Sequence, residues 1–98
     1  MSREYKWADV GKRLKLLRLA KGVKHQKPFA DLLGASEGQY SHWERGWQII
    51  PVEYAAKFSS LTGATLDYIY LGNSSAIPIN LLSELKKLSE TLPGSEND

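Results

Sequence analysis

The chain has 98 residues, a length that predicts a single domain. It contains no Cys and only two His, which excludes disulfides, thiol chemistry and a structural zinc site. Its apolar runs are only a few residues long, far short of the roughly 20 that span a bilayer, and no signal-peptide core follows Met1. We therefore expect a soluble, cytoplasmic protein with no membrane partner.

The formal net charge is only +2, but it is unevenly distributed. Residues 1–30 carry nine Lys or Arg and two acids, net +7, whereas residues 31–98 carry four Lys or Arg and nine acids, net −5. A basic third on a nearly neutral chain favours one face that meets a polyanion. A solvated basic helix explains the charge equally well at this stage.

Apolar periodicity and helix-ending residues predict six helices and no convincing strand, so the expected fold class is all-α. In the first helix, Val10, Leu14 and Leu17 share one face. Gly34 ends the second helix and Ser36 caps the third. In chain order, the expected ranges are about 7–21, 26–34, 36–45, 51–63, 66–71 and 78–91. Pro51 is expected in the first turn of the fourth helix.

The last helix carries a narrow leucine seam at Leu81, Leu85, Leu88 and Leu92. This seam is either a lid on the core of its own chain or a dimer contact, and the spacing fits both. The expected organisation is a domain over 1–72, a linker over 73–77, a C-terminal helix over 78–92 and a disordered tail over 93–98.

Residues 26–46 have the layout of a helix-turn-helix. Two short helices are joined at Gly34 by a turn of three to four residues, and Ala30 lies four residues before that glycine. The small Ala30 lets the helices pack closely, while Gly34 supplies a backbone conformation that other residues resist. This geometry is typical of proteins that present the second helix to the major groove of DNA.

Two further motifs make the pattern specific: Trp43-Glu44-Arg45-Gly46 ends the third helix, and Gly63-Ala64-Thr65-Leu66-Asp67-Tyr68 opens the fifth. Together with Gln26 and Phe29-Ala30, these motifs occur in the order found in one family. The sequence therefore resembles the lambda-repressor-like DNA-binding domain of phage repressors, Cro and bacterial regulators (the XRE type). The resemblance covers roughly residues 10–72. It implies a compact five-helix bundle, to which this chain adds a C-terminal helix.

The resemblance also implies which residues contact double-stranded DNA. Residues 36–45 form the recognition helix, with Tyr40 and Trp43 facing inward. The residues implied to lie in the groove are Ser36, Glu37, Gly38, Gln39, Ser41 and His42. The residues expected to contact phosphates are Gln26, Lys24, Lys27 and Arg45. Arg18 and Glu44 are implied to pair, which ties the first helix to the end of the recognition helix.

Several of these roles have a structural alternative. Trp43 is better placed to pack in the core than to stack on a base. Glu44 is better placed to pair with Arg18 than to face phosphates, which repel it. His42 is alternatively an ordinary surface histidine, and Gln26 is alternatively only a helix-start residue.

Four features depart from the family pattern, the first of which is a loop between Gly22 and Phe29 that is one residue longer than usual. Gly38 costs about 1 kcal/mol of helix propensity and removes a side chain that often reads bases. An ionised Glu37 only accepts hydrogen bonds, which suits a cytosine amine but opposes phosphates. Residues 47–50 are Trp-Gln-Ile-Ile where family members often carry Lys or Arg, which weakens electrostatic anchoring. Arg3 and Lys6 are the cations we expect to compensate.

These observations favour a sequence-specific DNA-binding regulator of transcription, expected to be a repressor and a homodimer of bacterial or phage origin, bound to the nucleoid when active. We expect no cofactor, no metal and no small-molecule ligand. The alternative is a protein-interaction module that kept the fold and lost DNA binding, or the antitoxin of a toxin–antitoxin pair. An enzyme is disfavoured, because the sequence has no nucleophile–base spacing, phosphate loop or metal cluster.

Overall fold

Six α-helices make up all the regular secondary structure of residues 6–91, the part of the chain that this computed structural model describes. In chain order they are α1 (Ala8–Ala20), α2 (Gln26–Leu33), α3 (Glu37–Arg45), α4 (Val52–Thr62), α5 (Leu66–Leu71) and α6 (Ile79–Thr91). The all-α class and the six predicted helices are confirmed, with ends that differ by at most one residue. One local prediction is wrong, because Pro51 is the N-cap of α4 and precedes its first turn.

Three aromatic side chains form the centre of the core. Phe29 of α2, Tyr40 of α3 and Phe58 of α4 are each fully buried. The Phe29 ring centroid lies 5.9 Å from that of Tyr40 and 4.9 Å from that of Phe58, both in tilted arrangements that aromatic pairs favour. Leu14 and Leu17 of α1, also fully buried, belong to the same core. α2, α3 and α4 therefore pack against one another through large aromatic side chains.

A three-residue turn, 34–36, joins α2 to α3. Gly34 has a left-handed φ of 79°, and the Ala35 N–H donates to the Ala30 carbonyl at 3.0 Å. Ala30 and Leu33 are fully buried at the end of α2. The turn closes tightly because Gly34 adopts this conformation without the steric cost that a side chain brings.

α1 crosses the C-terminal end of α3 at very short range. A Cβ atom on Gly11 would overlap the backbone carbonyl of Glu44, and one on Gly46 would lie 2.6 Å from the Ala8 Cα. The Trp7 N–H donates to the Gly46 carbonyl at 3.2 Å. Two glycines on different elements therefore allow α1 to lie directly against the end of α3.

α6 packs on α1 and covers one side of the core. Leu85 is only 4% exposed, and Leu81 and Leu88 pack against the core while partly buried. The described part of the leucine seam is therefore accounted for by packing within the chain, as the lid alternative requires. Leu92, the tail at 93–98 and Arg3 lie outside the described residues. No helix within residues 6–91 combines the length and apolarity needed to cross a membrane.

Candidate nucleic-acid interface

α3 has one buried face and one accessible face. Tyr40 and Trp43 are 0% and 2% exposed, which confirms their predicted inward orientation. Trp43 packs edge-on against Tyr40, with ring centroids 6.1 Å apart, and lies 5.0 Å from the Tyr54 ring. The residues predicted to contact DNA are accessible: Ser36, Glu37, Gly38 and Gln39 are exposed, and Ser41 and His42 are partly exposed.

The exposed start of α3 is held by a capping box. The Ser36 Oγ accepts from the Gln39 N–H, and the Gln39 Oε1 accepts from the Ser36 N–H, each at 3.1 Å. The predicted N-cap role of Ser36 is therefore confirmed, whereas the part that Gln39 plays in the capping box was not predicted from the sequence. The cap uses the carbonyl of the Gln39 amide, so the group that Gln39 can offer to a base is its Nε2 donor.

Arg18 links three backbone segments beneath this face. Its Nε donates to Glu44 Oε2 at 2.7 Å and its Nη2 donates to Glu44 Oε1 at 3.2 Å. Its Nη1 donates to the carbonyls of Val23 and Lys24 at 2.9 and 2.6 Å. Arg18 therefore fastens the end of α3 and the loop before α2 to α1. Burial lowers the pKa of Arg18, but the hydrogen bond to Glu44 and the charge of that carboxylate outweigh burial, so the pKa is raised.

The Glu44 carboxylate accepts four hydrogen bonds. Besides the two from Arg18, one comes from the Tyr40 hydroxyl and one from the Gln26 Nε2 at 2.9 Å. Burial, followed by the negative charge of Glu44, raises the pKa of Tyr40 well above its ordinary value, so the hydroxyl stays a donor. No buried side-chain nitrogen or oxygen in residues 6–91 lacks a hydrogen-bond partner.

The contact of Gln26 with Glu44 sets the orientation of the Gln26 amide. An ionised carboxylate only accepts hydrogen bonds, so the atom beside Glu44 must be the Gln26 nitrogen. That nitrogen carries two hydrogens, and the second is the one suited to a phosphate oxygen. The same contact brings the start of α2 beside the C-terminal turn of α3.

The cations near this surface differ in the side-chain partners that they contact. Lys24 and Arg45 are exposed, with the Arg45 Nε donating to the Ser41 Oγ at 3.2 Å. The Lys27 Nζ lies 3.2 Å from the Asp31 carboxylate. The two residues are one helical turn apart and both side chains are exposed. Such a pair is worth at most about 1 kcal/mol, so a phosphate can replace Asp31 at little cost.

Two other cations have structural partners that the sequence did not indicate. The Arg13 Nε and Nη2 donate to the carbonyls of Ile69 and Tyr70 at 3.1 and 3.2 Å. The Lys57 Nζ donates to the Leu33 carbonyl at 3.2 Å. Both bind the C-terminal end of a helix, where carbonyls lack helical partners and the dipole favours cations. Part of the basic charge is therefore used inside the fold.

Residues 6–91 contain no cluster of three or more His, Asp or Glu that could hold a metal ion. The chain has no significant match among protein-family models, curated proteins or solved structures.

Proposed function

We propose that this chain binds double-stranded DNA in a sequence-specific manner through α3 and regulates transcription, as its resemblance to the lambda-repressor-like domain implies. The observation that carries the proposal is the two-sided character of α3. Tyr40 and Trp43 are buried, while the polar residues predicted for the groove are accessible. An α-helix with its side chains is about 10–12 Å in diameter, and the major groove is about 12 Å wide, so a helix such as α3 fits into it.

The charges around α3 support a division of labour between elements. Glu44 is neutralised by Arg18 beneath the surface, so Glu37 is the α3 carboxylate that remains exposed. Lys24, Lys27 and Arg45 supply positive charge where the start of α2 adjoins the end of α3. We assign phosphate contacts to these cations and to the Gln26 amide, and base reading to the polar residues of α3.

A single nine-residue helix reads few base pairs, so we propose that the protein acts as a homodimer on two half-sites about one helical turn apart. Leu85 is buried within its own chain and Leu81 and Leu88 are partly buried there, so we assign the dimer contact to α4 or α5. Val52, Leu66 and Leu71 on those helices are 60%, 37% and 77% exposed. A bound dimer of this size at a promoter obstructs polymerase, so we propose repression as the regulatory outcome.

Titration with duplex DNA at two salt concentrations tests the proposal. Counterion release makes the affinity of a true DNA binder fall steeply as salt rises. Selection of bound duplexes from a random pool then gives the operator and its symmetry. If no binding is measurable at low salt, the DNA-binding function is wrong.

Substitutions at His42 and Lys27 test the division of labour. We expect His42→Ala to change which operator sequence is preferred, and Lys27→Ala to weaken binding to all sequences alike. Asp31→Asn is the matched control for Lys27, because it releases the lysine from its partner and should strengthen binding to all sequences. Equal losses on operator and random DNA for both alanine variants would contradict the division.

An apolar segment after α3 favours a second candidate, a protein-interaction module. Trp47 and Ile49 are 44% and 37% exposed, within residues 47–50, where the family often has cations. In such a module, or in the antitoxin of a toxin–antitoxin pair, which is the other alternative, the segment binds another protein. The same DNA titration separates the candidates, since this module shows no steep salt-dependent affinity for duplex DNA.

A further inference from the structure

The chain that leaves α3 is fixed to the end of the helix by its backbone. The Gly46 N–H donates to the Trp43 carbonyl at 3.2 Å, and the Trp47 N–H donates to the His42 carbonyl at 3.0 Å. Gly46 has the left-handed φ of 82° that this paired ending requires. The backbone at Trp47 is therefore set relative to α3, which fixes the point from which the indole side chain extends.

The Trp47 ring contacts two of the residues assigned to DNA. The His42 ring centroid lies 4.9 Å from the Trp47 centroid at an interplanar angle of 38°. The Arg45 Cζ lies 5.1 Å from the Trp47 centroid, within the range of a cation–π contact. The Arg45 Nε is held by the Ser41 Oγ, so its guanidinium is restrained from two directions.

We propose that Trp47 is a positioning residue for DNA recognition, acting through His42 and Arg45. It restricts the imidazole and the guanidinium to one arrangement before DNA arrives, so that less side-chain freedom is lost on binding. The guanidinium then meets backbone phosphate with its η nitrogens, and the imidazole meets a base edge in the groove. This inference rests on the proposed DNA-binding function.

A purely structural role for Trp47 would require only an apolar contact with the end of α3, whereas the indole contacts both His42 and Arg45. Helix endings of this kind often include an apolar contact between the residue after the glycine and the last turn of the helix. Leucine can supply an apolar contact to the end of the helix, but it has no aromatic face to hold either the His42 imidazole or the Arg45 guanidinium in one orientation. Comparison of Trp47→Leu with Trp47→Phe therefore separates the packing role from the positioning role.

The experiment measures the affinity of each variant for the selected operator and for single-base variants of it. We expect Trp47→Leu to lower the preference for the operator about threefold to tenfold, the size of coupling between side chains in contact. Trp47→Phe should keep most of the preference, and both variants should unfold at the same temperature as the parent protein. Ile49→Ala, an exposed apolar change in the same segment, is the matched control and should keep the preference.

The His42→Ala/Arg45→Ala background decides whether Trp47 acts through these two residues. In that background we expect Trp47→Leu to have no further effect on preference. An undiminished effect there would show that Trp47 meets DNA itself, and an unchanged preference in the single variant would also overturn the proposal. Loss of the proposed function looks different, because the parent protein would then show no salt-dependent binding to any duplex.

Discussion

Arg18 and Glu44 form a two-point ion pair between α1 and α3, with N···O distances of 2.7 and 3.2 Å. The two side chains are only 5% and 4% exposed. Removing one partner of a buried pair leaves a charge without compensation, which typically costs about 3–5 kcal/mol. We therefore expect Arg18→Ala to lower the free energy of unfolding by about that amount, measured by urea denaturation.

Lys27→Ala is the control for this prediction. It also removes one partner of an ion pair, but the Lys27 and Asp31 side chains are 64% and 62% exposed. An exposed pair contributes about 0–1 kcal/mol, so the variant should unfold close to the parent protein. An unchanged urea midpoint for Arg18→Ala would show that the buried pair does not stabilise the fold.

The helices could be predicted well from the sequence because each helix end is determined by residues within a few positions of it. Gly34 and Ser36 act on residues within a few positions of themselves, so periodicity and capping rules suffice. Contacts between distant elements could not be read in this way. In the sequence nothing distinguishes Gly11 from other helix residues, and only the structure shows that the Glu44 backbone lies against it. Arg13 donates to carbonyls that are 56 and 57 positions further along the chain.

Residues of the candidate site could be predicted from the sequence only where they match positions of the family motif. The motif resemblance indicated Arg18 and Glu44 as a pair, but nothing in the sequence indicated that Gln26 and Tyr40 complete the hydrogen bonds of the carboxylate. The position of Trp47 depends on the φ of Gly46 and on the backbone bonds that follow it. A departure from the family pattern at residue 47 was visible in the sequence, whereas its contacts required the structure.

Tyr40 provides a prediction for alkaline pH. Its pKa is raised in the folded state, while the unfolded side chain ionises near pH 10. Above pH 10 the unfolded chain has lost the proton and the folded chain keeps it. The stabilising contribution is therefore full below pH 10 and decreases by about 1.4 kcal/mol for each pH unit above it.

Tyr40→Phe removes this ionisable group and its hydrogen bond to Glu44. The variant should be about 1–3 kcal/mol less stable than the parent protein at pH 7, because the carboxylate loses a donor. The gap should narrow between pH 10 and 11, since the variant lacks one ionisation that favours unfolding. Urea denaturation across pH 7–11 measures both quantities. A gap that stays constant would contradict the raised pKa.

Leu85 tests whether α6 is a lid on its own chain. The side chain is 4% exposed, so Leu85→Ala should lower the free energy of unfolding by about 2–4 kcal/mol through lost burial and the cavity left behind. Ile79→Ala, at a position 79% exposed on the same helix, should change it by less than about 0.5 kcal/mol. Because the contact lies within one chain, the loss should be independent of protein concentration. A loss that disappears on dilution would assign the seam to a dimer.

Gly38 gives a prediction in which stability and DNA binding change in opposite directions. It lies in the first turn of α3, it is exposed, and a Cβ atom there would have only the Ser36 Oγ nearby, at 4.0 Å. Gly38→Ala should therefore stabilise the fold by about 0.5–1 kcal/mol through helix propensity. In the proposed complex the added methyl group faces the groove and keeps the helix backbone away from the bases. We expect operator affinity to fall by about fivefold, or about 1 kcal/mol.

Ser83→Ala is the matched control for Gly38→Ala. It places the same residue type at an exposed position of α6, away from α3, and should raise stability slightly through helix propensity with no effect on operator affinity. Thermal unfolding and operator titration on the same preparations measure both effects. A Gly38→Ala variant that is more stable and binds the operator as tightly as the parent protein would show that α3 does not approach DNA closely at this turn. A variant that is less stable would show instead that the glycine serves the helix itself, which the open space around it argues against.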